Sequence, residues 1–152
     1  MDSCVEAASD SILHLPDAQQ QPLFSAWLPP SVGLCKINAD GVLFTSRKQA
    51  GIGVVIRDGE GRLLAALCRK IKAPFMALEV EAKAYEAGML LARHLGLRDG
   101  VLEGPEIGVV NFSHVRRIGN KPAHILARQA QNLVNDVIWI EEIPYCIQQA
   151  LI

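Results

Sequence analysis

The sequence predicts an α/β domain, a mixed sheet of short strands covered by helices. Three observations predict it. Residues 34–69 hold three strand-like runs in close succession. Residues 76–95 then switch to helical spacing, and residues 121–133 form a second helical stretch after two more short apolar runs. Strands followed by a helix, more strands and a closing helix fit an α/β arrangement. A chain of 152 residues has room for one domain with a sizeable core and not comfortably for two. Half of it is hydrophobic and a fifth is charged, which excludes a largely disordered chain.

The elements follow in order. Residues 1–26 lack periodicity, include Gln19-Gln20-Gln21-Pro22, and read as a mobile acidic leader. Trp27 to Pro30 is extended, because each proline pushes its predecessor out of the helical region, and Trp27 packs on the domain edge. Residues 34–44 are the first strand, with Cys35, Ile37 and Ala39 on one face and Lys36, Asn38 and Asp40 on the other. Residues 51–57 are apolar at nearly every position and so form a central strand. Asp58-Gly59-Glu60-Gly61 is a hairpin signal, and Leu63 to Arg69 completes an antiparallel meander.

In residues 76–95 the stripe Val80, Ala84, Ala87, Leu91 and Leu95 repeats by four, three, four and four, which aims one helix face at the sheet; Gly96 stops it. Gly100 to Glu103 is a fourth strand and Val109 to Val115 a fifth. Lys121 to Leu133 is the last helix, with Asn120 at its N-cap and Pro122 in its first turn. The apolar tail, Trp139 to Ile152, alternates weakly and fits an extra helix or an added strand. The divisions are therefore a leader over 1–26, a domain over 27–133 and a C-terminal extension over 134–152.

Net charge is −1, and it hides an asymmetry. Residues 1–35 carry Asp2, Glu6, Asp10 and Asp17 and no Lys or Arg; the remainder sums to +3. No acid occurs from Ile107 to Asn135, where Arg116, Arg117, Lys121 and Arg128 lie. Such a stretch suits phosphate even in a neutral chain, although a solvated helix face has the same composition. The four cysteines have no zinc-ligand spacing; Cys35 and Cys68 read as buried thiols of a reducing, intracellular protein, cytoplasmic or nuclear. No apolar run approaches the roughly 20 residues that span a bilayer, and the residues before Lys36 lack the positive charge of a signal or transit peptide.

One residue has little to do for packing: Asp40, near the end of the first strand and followed by Gly41. With Trp27-Leu28-Pro29-Pro30, Lys36-Ile37-Asn38-Ala39-Asp40-Gly41, Gly51-Ile52-Gly53-Val54-Val55-Ile56-Arg57-Asp58, Glu81-Ala82-Lys83-Ala84, Phe112 to Arg117 and Asn120 to Ala127, residues 27–130 resemble the plant-type ribonuclease H-like domain related to retroelement reverse transcriptases. The resemblance implies metal-dependent endonucleolytic hydrolysis of the RNA strand in RNA–DNA hybrids. It implies two Mg²⁺ or Mn²⁺ ions held by four carboxylates, one activating a water and one stabilising the leaving oxygen. The first two ligands fall on Asp40 and Glu81, the expected catalytic residues. Glu81 has a plainer reading as a solvated helix residue, as Glu79 and Glu86 are.

The third ligand is expected as an aspartate after the fourth strand. Pro105 follows Glu103-Gly104 instead, and Glu106 would substitute only with a backbone shift. The fourth position holds His124, which brings no negative charge as a neutral imidazole; its plainer reading is a histidine facing solvent or touching phosphate. His114 reads as structural. The nucleic-acid-binding set is Asn38, Arg116, Arg117, Asn120, Lys121 and Arg128, with an RNA–DNA hybrid or duplex backbone as partner and no membrane.

Two of four carboxylates implies weak or lost cleavage. The readings that follow are a hybrid endonuclease, an inactive nucleic-acid-binding module, or a non-functional splice product or decayed copy. Only residues 104–108 separate the fourth and fifth strand runs, too few for the dozen or more residues of a parallel crossover. This predicts a shortened domain without the family's central helices, its last two strands paired as a hairpin.

Overall fold

The structure, a computed structural model, describes residues 27–72, 76–104 and 120–151. Five strands form one sheet: β1 (Cys35–Phe44), β2 (Gln49–Arg57), β3 (Leu63–Lys72), β4 (Gly100–Glu103) and β5 (Val137–Ile140). Two helices, α1 (Ala77–His94) and α2 (Lys121–Gln129), cover it. The sheet order is β4-β1-β2-β3-β5. β1, β2 and β3 form the expected antiparallel meander, β4 joins β1 in parallel and β5 joins β3 antiparallel. The turn between β2 and β3 is tied by Asp58, whose Oδ1 accepts the backbone N–H of Glu60 and of Arg62. The run Val109 to Val115 lies outside the described residues.

Strand alternation sorts the core into two layers. Ile37, Ala39, Ile52, Val54, Ile56, Ala65 and Leu67 face α1, where Ala84, Ala87, Leu91 and Ala92 meet them. Val55, Leu63, Ala66 and Cys68 face the other way, toward Leu126, Ala130 and Ile147. The expected α1 stripe is buried except for the half-buried Leu95, and Gly96 ends the helix region at φ +71°.

α2 lies directly on β2. A Cβ at Gly51 would stand 1.8 Å from the carbonyl oxygen of Ala127, and one at Gly53 would stand 1.9 Å from that of Ala123. The small residues Ala123, Ala127 and Ala130, all fully buried, allow this backbone-to-backbone approach. Gly51 and Gly53 are thus a seat for α2.

Three expectations change. β3 extends to Lys72, past Arg69, because Ile71 and Lys72 still pair with Ala50 and Gln49. α2 ends at Gln129 and passes into a 3₁₀ turn, Ala130–Asn132. Asn120 stands at the N-cap position but makes no capping bond; its side chain reaches β1 instead. The apolar tail supplies both β5 and a 3₁₀ segment, Tyr145–Leu151, whose Ile147 is fully buried in the α2-side layer. Among the described residues, no helix is long and apolar enough to cross a membrane.

Candidate functional site

The site begins where β1 presents Asp40 on the α2 side of the sheet. Asp40 is 5% exposed. The next residue explains how a second acid reaches it. A Cβ on Gly41 would stand 2.5 Å from Val80 Cγ1 and 2.9 Å from the Val80 carbonyl oxygen, so only glycine lets the first turn of α1 cross β1 there. That crossing sets Glu81 beside Asp40, close enough for each carboxyl to shift the ionisation of the other. α2 completes the cluster: His124 Nδ1 lies 2.6 Å from Asp40 Oδ2. Asn120 Nδ2 donates to the Ala39 carbonyl at 2.9 Å, fixing the start of α2 against β1.

Burial governs the electrostatics. It pushes the Glu81 carboxyl up to about 8, with the adjacent Asp40 charge adding to the shift. Burial raises Asp40 as well, while the hydrogen bond and charge of His124 oppose the rise. Two buried carboxylates side by side repel each other, which disfavours both being charged at once. Tyr85, one helical turn beyond Glu81, is pushed up to about 12 by burial and by the Glu81 and Asp40 charges. Its ring lies over Gly104, where an added Cβ would come within 2.3 Å of the hydroxyl. Glu81 Oε2 and Asn120 Oδ1 are buried without a hydrogen-bond partner.

A polar network backs the site on the same side of β1. Asn38 Oδ1 accepts from Trp27 Nε1 and from Arg57 Nη2, each at 3.1 Å, and Asn38 Nδ2 donates to Glu103 Oε2 at 3.3 Å. Lys36 Nζ bridges Glu103 Oε1 at 2.5 Å. The Arg57 guanidinium stacks over Trp27, 4.0 Å from the ring centroid, and its burial lowers it to about 10. Parallel pairing of Asn38 with Glu103 builds the network.

Asp40 thus has both Glu81 and His124 as neighbours, and His124, whose plainer reading is a solvent-facing histidine, is half exposed as well as bonded to Asp40. Asn38 and Asn120 are buried at 0% and 2% exposure and spend their donors inside the protein, so they do not present a surface to nucleic acid. Lys121 and Arg128 are exposed on α2. Glu106, His114, Arg116 and Arg117 lie outside the described residues. Sequence reasoning passed over Glu103 and Tyr85. The signal for Tyr85 is its i+4 spacing from Glu81. For Glu103 it is Lys36, a lone cation on the strand face that carries Asp40.

The five-strand mixed sheet, with a helix on each face and an acid pair where α1 crosses β1, has a fold similar to that of a solved ribonuclease H. Residues 38–111 match a family model described as reverse transcriptase-like. The fold matches the crystal structure of RNase H1 from the halophilic archaeon Halobacterium salinarum NRC-1 with a TM-score of 0.58. The match covers 66% of this chain and 98% of that one at 21% identity, a likeness of fold. No curated protein matches the chain significantly.

Proteins of this fold generally use divalent metals. Among the described residues the donor set does not fit a two-ion centre: two cations need several formal negative charges close by, whereas the cluster holds the carboxyls of Asp40 and Glu81, and His124 occupies one Asp40 oxygen. Among the described residues, no group of three or more His, Cys, Asp and Glu side chains is disposed to hold a metal.

Proposed function

We propose that this chain is a ribonuclease H-like nucleic-acid-binding domain in which metal-dependent hydrolysis of RNA in RNA–DNA hybrids is weak or lost. The observation that carries this reading is His124 bonded to Asp40 at 2.6 Å, an imidazole where the family resemblance implies a carboxylate. Binding needs none of the missing acids. It needs cations beside the cleft, and Lys121 and Arg128 are exposed on the helix that delivers His124. Contacts from such residues to phosphate give affinity that is insensitive to sequence and sensitive to salt. Asp40, Glu81 and His124 then lie beside the bound backbone, with Glu81 able to hold a proton near neutral pH.

The test is a labelled RNA–DNA hybrid incubated with the purified chain in Mg²⁺ and then Mn²⁺, with Asp40→Asn as control. The hybrid should be retained at low salt and remain intact. Cleavage that Asp40→Asn abolishes would instead establish an enzyme with a reduced ligand set.

A further inference from the structure

The charges of this molecule are sorted along its length, and the sorting lies partly outside the Asp40 cluster. At one end of the sheet β1 turns into β2 through Thr45–Arg47, a single 3₁₀ turn that Lys48 closes at φ +49°. Arg47 and Lys48 are exposed there. Strand register brings the end of β3 alongside, since Lys72 pairs with Gln49 and Lys70 with Gly51. α2 runs toward the same end: Ala123 sits over Gly53 and Ala127 over Gly51, so Arg128 follows on that side. Lys70 Nζ donates to the Leu133 carbonyl and holds the end of the α2 region down.

Among the described residues, Arg47, Lys48, Lys72, Lys121 and Arg128 enter no ion pair. Residues 41–50 and 121–135 contain no acid. The opposite end is different. There Asp58 and Glu60 bridge Arg62, with Arg98, Asp99 and Glu141 beside them. Among the described residues, the cations of this end are therefore unpaired, whereas at the other end Arg62 is bridged by two acids.

The basic end is continuous with the Asp40 cluster. His124 and Arg128 are one turn apart on the outer side of α2, and Lys121 is one turn before His124. At a rise of about 1.5 Å per residue, Lys121 to Arg128 spans roughly 10 Å, enough to reach more than one phosphate of a strand. The 45–48 turn and Lys72 lie beyond Gly51, at the end of the sheet toward which α2 runs.

We propose that the Arg47–Lys48 turn and Lys72 form a second phosphate-contact surface, which extends the nucleic-acid path from the Asp40 cluster over the end of the sheet. It takes the backbone of a duplex or hybrid and reads no bases. The proposal rests on the nucleic-acid reading above, and one experiment separates the two. Hybrid affinity of the full chain is measured against salt for the wild type, for Arg47→Gln with Lys48→Gln, and for Lys121→Gln. Anionic phospholipid vesicles serve as a second probe, and thermal unfolding confirms that each variant is folded.

Each lost phosphate contact lowers the slope of log K against log salt by about 1, so the double variant should lose about 2 from the slope and bind on the order of tenfold more weakly at low salt. A wild type that binds hybrid, weakened by Lys121→Gln and unaltered by the double substitution, would overturn the second surface and leave the nucleic-acid reading standing. A wild type that binds no hybrid would end both. Vesicle binding lost in the double variant, with hybrid binding unchanged, would reassign the patch to a lipid surface.

Discussion

The two faces of β1 bury their side chains equally well and by opposite means. Toward α1, Ile37 and Ala39 are 3% and 0% exposed and meet only apolar neighbours. Toward α2, Lys36, Asn38 and Asp40 are 4%, 0% and 5% exposed, yet all three are polar. The α1 face needs only area removed from water, and many apolar side chains would serve. The α2 face needs partners, because a buried polar group without them is costly. Trp27, Arg57 and Glu103 supply them for Lys36 and Asn38, while Glu81 and His124 supply them for Asp40. A polar face on a strand is therefore not always a solvent face. Here it carries the candidate site and the scaffold that holds it.

Removing one partner on the polar face should have the largest effect. Glu103→Ala leaves the Lys36 ammonium buried, and breaking such a pair costs about 3–5 kcal/mol. Urea unfolding would show it, and replacing both partners by Met and Leu should recover most of the loss. A single Glu103→Ala variant as stable as the wild type would dissolve the contrast between the faces.

Next comes the seat of α2. Gly53→Ala forces a Cβ against the Ala123 carbonyl and should cost about 1–3 kcal/mol, read in the same assay. Because the displaced element carries His124 and Lys121, hybrid affinity should fall with it.

The acid pair sharpens the comparison by pH. Burial raises Glu81 from an ordinary 4.5 to about 8, so the folded chain holds a proton that the unfolded chain releases. That contribution is present in full below about pH 4.5 and is lost as pH climbs through about 8; Asp40 shifts in the same direction. Unfolding temperatures measured from pH 4 to 9 with chelator should fall across this window, and Glu81→Gln should flatten the profile. A wild-type profile that rises, or one that Glu81→Gln leaves unaltered, would contradict a proton held on Glu81.

The smallest effect belongs to the surface. Asp136→Asn removes the partly exposed Arg69 pair, and the change should stay below about 1 kcal/mol.

The apolar side of this fold is legible in the sequence because its code is local. Period two marks β1, β2 and β3, and the stripe from Val80 to Leu91 marks α1 with its buried face. Asp40 and Glu81 are legible as candidates, and the structure adds the reason they meet, the crossing at Gly41. The polar side is less legible because its code is distant. Glu103 lies 65 residues from Asn38, and Asn120 lies 81 from Ala39. Nothing near Glu103 marks it as buried; only the parallel register of β4 with β1 does. Asn120 has the local signature of a cap, and a backbone carbonyl on β1 outcompetes the helix for its side chain. The basic end escapes a reading of one continuous stretch, since Arg47, Lys72 and Arg128 come from three elements.

Manganese binding to the purified chain, followed by calorimetry with Asp40→Asn as control, tests most directly whether the Asp40 cluster is a two-ion centre. The two carboxyls of Asp40 and Glu81, with one Asp40 oxygen held by His124, predict at most one ion per chain, held weakly and lost with Asp40→Asn. Two ions per chain, bound tightly and abolished by that substitution, would show that the cluster assembles a full catalytic metal site.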